Sequence, residues 1–169
     1  MQTPPQGPIL NLEDVTFERV VHGDRFEAAD GAVGHAIGAK LLGCSYIVVP
    51  PGKRAYPFHC HHVNEEMFFV VSGRGIVRIG DTEHPIREGD VIAAPAGGAA
   101  TAHQIINTSQ EELRYLALST MIPTEVVEYP DSSKVAVYVG SAPGESAAAR
   151  TFNHRGRLGP KLEYWDGES

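Results

Sequence analysis

Short apolar runs separated by glycine-bearing turns fill most of this chain. Weakly alternating segments at 16–21 and 25–28 come first. Stronger runs come after them at 45–50, 66–72, 76–79, 91–94, 101–107, 113–119 and 135–139, with shorter ones at 58–62 and 83–86. Each is of strand length, and turn residues bound most of them: Pro50-Pro51-Gly52, Gly73, Gly80-Asp81 and Glu88-Gly89-Asp90. Residues 31–43, rich in glycine and alanine, form a loop or a wandering strand. No segment carries the period of a convincing helix, and no repeat of fixed length occurs. Sequential short strands close best as a sandwich or barrel, which leaves few exposed edges. The expectation is an all-β barrel over 16–140, with a flexible N-terminal arm at 1–15 and a linker and tail at 141–169.

Length and composition agree with that picture. The chain has 169 residues, 42% of them hydrophobic, enough for one core. The formal net charge is −7, with a pI near 5.6. An acidic surface repels phosphate backbones and anionic lipid, so neither nucleic acid nor a membrane is an expected partner. No apolar stretch spans a bilayer, and 1–8 lack the charged start and apolar run of a secretory signal. A cytoplasmic protein is expected, or a mature form whose leader has been removed. Two cysteines, Cys44 and Cys60, are too few for a disulfide framework and are expected as reduced thiols.

The candidate chemistry is concentrated in His59, His61, Glu66 and His103. Alternate residues of a strand share a face, so His59 and His61 project together while Cys60 and His62 point away. Glu66 shares a face with Phe68 and Val70, and His103 with Ile105 and Asn107. His-x-His alone is a weak signal. With a carboxylate on the next strand and a third histidine farther on, it describes a cage for one divalent transition metal: iron, manganese, nickel or zinc. Such an ion keeps open positions for a small-molecule ligand. Glu65, adjacent to Glu66, would face the other side. Tyr46, Tyr56 and Glu65 are the weak candidates for acid–base work. Arg150, Arg155, Arg157 and Lys161 form an acid-free basic stretch that could hold an anionic substrate or simply be solvated, and Tyr164-Trp165 could pin the tail to the body. No nucleophile elbow, phosphate loop or dinucleotide fingerprint is present.

The segment 52–73, GKRAYPFHCHHVNEEMFFVVSG, resembles the first cupin motif, and 89–107, GDVIAAPAGGAATAHQIIN, resembles the second. The resemblance implies a double-stranded β-helix, or jelly roll, and metal binding by His59, His61, Glu66 and His103. It further implies a homodimer. Within the superfamily the chain is similar to small single-domain members of unassigned function that carry a segment like Tyr129-Pro130-Asp131. Two spacings depart from the family pattern. Six residues, not five, separate Gly52 from His59, and five, not two, separate Gly97 from His103. The cage and the resemblance together point to a metalloenzyme acting on a small polar metabolite, by sugar or sugar-phosphate isomerisation, oxygenation or decarboxylation. The alternative is a non-catalytic module that binds or senses a small ligand.

Overall fold

The computed structural model describes residues 7–142, 145 and 147–168. Among them the regular secondary structure is almost entirely strand: β1 (Glu18–His22), β2 (Phe26–Gly31), β3 (Leu42–Val49), β4 (Cys60–His61), β5 (Glu66–Ser72), β6 (Arg74–Ile79), β7 (Thr82–Arg87), β8 (Val91–Ala94), β9 (His103–Ile106), β10 (Leu113–Thr120), β11 (Thr124–Tyr129), β12 (Lys134–Val139) and β13 (Phe152–Arg157). The one α-helix among the described residues, α1 (Val33–Ala36), interrupts the glycine-rich stretch before β3.

One sheet has the order β1-β2-β3-β10-β5-β8. The opposing layer is built from β13-β12-β11-β4 and β7-β6-β9. An antiparallel bridge between His59 and His103 joins those two groups, so β4 and β9 lie side by side. Neighbouring strands pair antiparallel, as expected of the double-stranded β-helix.

Alternation explains which side chains fill the interior. In β5, Phe68 and Val70 are buried while Met67 and Phe69 on the other face are exposed. Ile47, Val49, Phe68, Val70, Val77, Ile105, Leu113 and Tyr115 pack between the two layers as the main core. This apolar filling leaves a polar cavity beside it, and Phe68 marks the border with its ring 5.3 Å from that of His103. The turn from β5 to β6 needs glycine: Gly73 has φ +85°, and a Cβ there would sit 2.4 Å from the Glu112 carbonyl oxygen.

The termini differ from their expectations. Leu10, Leu12 and Val15, from the expected flexible arm, pack with Val33 and Tyr46 in a second cluster. The expected linker and tail supplies β13, which pairs with β12 along its length. Tyr164 and Trp165 pack edge-to-face on each other, 85% and 74% exposed, and do not pin the tail to the barrel.

Candidate metal centre

His59, His61 and Glu66 bring their donor atoms together, and His103 reaches the same Glu66 carboxylate from a further strand. His59 and His61 flank Cys60 at β4, Glu66 opens β5, and His103 opens β9. The Nε2 atoms of His103, His61 and His59 lie 2.9, 3.5 and 3.9 Å from the same Glu66 oxygen, Oε2. Donor atoms of His59, His61 and Glu66 are all within 4.8 Å of one another. Adjacent ligands on an ion with bonds of about 2.1 Å stand roughly 3.0–3.4 Å apart, so the cage has the scale of one first-row ion.

The lengthened loop before His103 does not turn that residue away. Residues Ala99–Thr101 coil into a 3₁₀ turn that absorbs the extra length. The backbone then returns to β4 through paired hydrogen bonds: His103 N–H donates to the His59 carbonyl at 2.8 Å, and His59 N–H to the His103 carbonyl at 3.2 Å.

The outer nitrogens fix how the rings are presented. His59 Nδ1 faces the Pro57 carbonyl at 2.8 Å, and His61 Nδ1 faces the Glu125 carboxylate at 3.2 Å. Both neighbours only accept, so each Nδ1 carries the hydrogen and each Nε2 turns a lone pair inward. His103 Nδ1 faces the Thr101 carbonyl at 3.4 Å. The inward lone pairs of His59 and His61 thus converge on the Glu66 carboxylate, to which His103 Nε2 is hydrogen-bonded at 2.9 Å, an arrangement in which a cation can replace that shared proton. The donor set fits a divalent transition metal.

Electrostatics follow from burial and neighbours. Burial, reinforced by His103, holds the His59 imidazole down at about 4, so it is neutral at ordinary pH as a ligand must be. For His61 burial opposes the charged form, but the hydrogen bond to Glu125 and the nearby Glu66 outweigh it and raise its basicity. For Glu66 burial likewise opposes charge. The hydrogen bond with His103 and the surrounding imidazoles prevail and hold the carboxyl below its usual range.

Glu125 is the residue that sequence reasoning missed. It lies on the inner face of β11, fully buried. Its Oε2 accepts from His61 Nδ1, Asn64 N–H and Asn64 Nδ2, and its Oε1 from the backbone N–H groups of His62, Val63 and Val126. One carboxylate therefore orients a candidate ligand and ties down the loop between β4 and β5. Despite its burial, the His61 and Asn64 hydrogen bonds hold its carboxyl down at about 2.

A cavity of about 360 Å³ opens beside the cage, and His59, His61 and Glu66 form part of its wall together with Asp30, Tyr56 and Tyr129. Tyr56 donates to the Asp30 carboxylate. Burial and that carboxylate push the Tyr56 phenol far above its ordinary value, so it stays protonated. Tyr46 is elsewhere, in the outer cluster with Val15 and Val33. Glu65 is exposed, its N–H bonded to Thr120 Oγ1. Gln104, next to His103, is 4% exposed and spans Arg54 and the Tyr56 carbonyl. A separate surface groove of about 640 Å³, lined by Arg74, Arg87 and Thr108 among others, contains no comparable donor cluster.

Fold and site together define a double-stranded β-helix with a histidine–carboxylate cage. Residues 45–119 match the cupin-domain family model, and the barrel has the fold of solved cupin structures. It is similar to an uncharacterized protein of Methanocaldococcus jannaschii, 29% identical over 72 residues. That match covers 43% of this chain and about half (54%) of the relative. It is also similar to an oxalate-binding protein of Thermotoga maritima, 25% identical over 120 residues, covering 69% of this chain and 96% of that one. A solved structure from Acidithiobacillus ferrooxidans, provisionally named a sugar phosphate isomerase, superposes with a TM-score of 0.75 at 26% identity, covering 92% of this chain and 97% of the other. No helix among the described residues is long and apolar enough to cross a membrane.

Proposed function

We propose that this protein is a metal-dependent enzyme that isomerises a small anionic sugar derivative, with His59, His61, Glu66 and His103 as the metal ligands. The observation that carries the reading is one cavity that joins the donor cage to the Tyr56–Asp30 pair. A divalent ion in the cage would supply Lewis-acid polarisation of a carbonyl. The chain's own groups supply the rest. Tyr56, held protonated, is suited to donate a hydrogen bond or proton to a substrate oxygen, and the Asp30 carboxylate to accept a proton from carbon.

Anion selectivity is supported by the far wall. Tyr129, Lys134 and Arg157 lie in register across β11, β12 and β13, and Arg155 is paired with Ala136. Cross-strand partners share a face, which sets these cations beside the cavity's Tyr129 and Tyr138. Lys134 Nζ stands 5.0 Å over the Tyr129 ring. The likeness to the Acidithiobacillus protein favours the same chemistry over oxygenation or decarboxylation.

The test is a panel of phosphorylated aldoses and ketoses incubated in deuterated water with the metal-loaded protein. Proton NMR should reveal interconversion with deuterium uptake, abolished by chelation. Tyr56→Phe is expected to lower kcat by about 100-fold or more with little change in KM. No exchange with any member of the panel would overturn the isomerase reading. Saturable binding without exchange, of these sugars or of oxalate, would support the second reading, a ligand-binding module, which the likeness to the oxalate-binding protein favours.

A homodimer belongs to the same proposal. Val91 and Phe69 pair across β8 and β5 with Met67 beside them, exposed by 63%, 39% and 47%, on the outer face of the larger sheet. Light scattering should give twice the chain mass, falling to the monomer with Phe69→Lys. A monomeric wild type would reject the dimer.

A further inference from the structure

β4 has two sides, and the outer one carries a second set of donors. Cys60 and His62 alternate with His59 and His61 and so project from the opposite face. Glu128, on β11, is the in-register partner of Cys60. Its Oε2 lies 3.8 Å from Cys60 Sγ and 3.4 Å from His62 Nε2, and the three donor atoms all fall within 4.8 Å of one another.

We infer that Cys60, His62 and Glu128 form a second metal site, selective for a thiophilic tetrahedral ion of the zinc type. Tetrahedral zinc with bonds of about 2.0–2.3 Å separates its ligands by roughly 3.3–3.7 Å; the two separations to Glu128, 3.8 and 3.4 Å, already match that spacing, and the third lies within 4.8 Å. Two of them face each other across a paired strand register and the third is two residues along, so the backbone already holds the tripod. Cys60 is fully buried, against Phe58 and Ala102, which shields the metal–sulfur bond. The side chains of His62 and Glu128 are 37% and 29% exposed, which gives an ion a way in and leaves the fourth position to water.

Glu128 now accepts from the Cys60 thiol. On binding, the thiol proton leaves to solvent and sulfur becomes an anionic ligand. Thiolate, carboxylate and neutral imidazole then balance a dication. Soft sulfur separates this site from the inner cage, whose ligands are nitrogen and oxygen only. The site is independent of the isomerase reading. An ion there would fasten β4, which carries His61, to β11, which carries Glu125.

The test uses the full-length protein with Cys44→Ser, so that Cys60 is the sole thiol. With Glu66→Ala added so that the inner cage does not compete, titration with cobalt(II) should raise a near-ultraviolet thiolate-to-metal charge-transfer band that saturates at one equivalent and is bleached by zinc. The band should vanish in Cys60→Ser and in His62→Ala. The second variant alters a partly exposed side chain and keeps the test valid if loss of the buried thiol prevents folding. Elemental analysis after zinc loading should give two equivalents in the wild type, one in His62→Ala and in Glu128→Gln, and one in Glu66→Ala, which removes only the inner site. Absence of the band, or equal zinc content in wild type and His62→Ala, would overturn the proposal and leave an ordinary hydrogen-bonded cluster.

Discussion

Glu66→Ala, made in a His62→Ala background so that only the inner cage counts, is expected to purify without bound transition metal. The parent should hold about one equivalent by elemental mass spectrometry, provided neither carries a chelating tag. Glu66 is the only anion among the four residues, and its Oε2 is the atom on which the Nε2 atoms of His59, His61 and His103 converge. Losing a group that merely orients a ligand typically weakens metal binding about 10–100-fold, so losing the carboxylate itself should cost more than about 100-fold. The rings themselves should stay in place. The backbone pair between His59 and His103 does not depend on Glu66, and neither do the acceptors that face the three Nδ1 atoms. A matching circular dichroism spectrum would show that the loss is local. Full metal retention in Glu66→Ala, with a normal fold, would remove the cage from consideration.

The pattern of apolar runs was legible because most strands obey the alternation that a half-buried sheet imposes. The runs at 66–72 and 91–94 coincide with β5 and β8, where inward Phe68, Val70 and Ile92 alternate with outward Met67, Phe69 and Val91. The cage was legible for the same reason: period-two geometry puts His59 and His61 on one side and Cys60 on the other without knowledge of tertiary structure. β11 was not foreseen, because its inward positions are Glu125, Val127 and Tyr129, and an acid at an inward position contradicts the usual signal. β13 was not foreseen, because Phe152–Arg157 contains almost no apolar residues and gains its strand character from pairing with β12. The Tyr56–Asp30 pair joins residues 26 positions apart on different elements, which no local pattern announces. Both surprises of the site, Glu125 and Asp30, are thus polar groups whose partners are decided by tertiary structure.

Glu125 supplies the second large effect. Glu125→Ala is expected to destabilise the fold by about 3–5 kcal/mol, because it leaves the His61 ring and a row of buried N–H donors without their acceptor. For a domain of this size that lowers Tm by roughly 10 °C or more. The acid limb of the stability profile should change with it. A carboxyl that ordinarily titrates at 4.5 is held at about 2 in the folded chain, so the unfolded chain takes up its proton first as pH falls. The stabilisation is full above about 4.5 and is lost between 4.5 and 2, amounting to about 3 kcal/mol. Glu66, also depressed, contributes slope of the same sign, so the diagnostic quantity is the difference between wild type and Glu125→Gln across that window. The glutamine keeps one acceptor oxygen and places an amide against N–H groups. It should therefore fold, melt earlier than wild type at neutral pH, and converge on it toward about pH 2. Its metal affinity should fall about 10–100-fold, since His61 loses the carboxylate that fixes its tautomer and aim. Equal affinity in Glu125→Gln and wild type would restrict Glu125 to holding the β4–β5 loop. A difference in stability that stays constant from about pH 7 to about pH 2 would show that Glu125 is not charged in the native barrel.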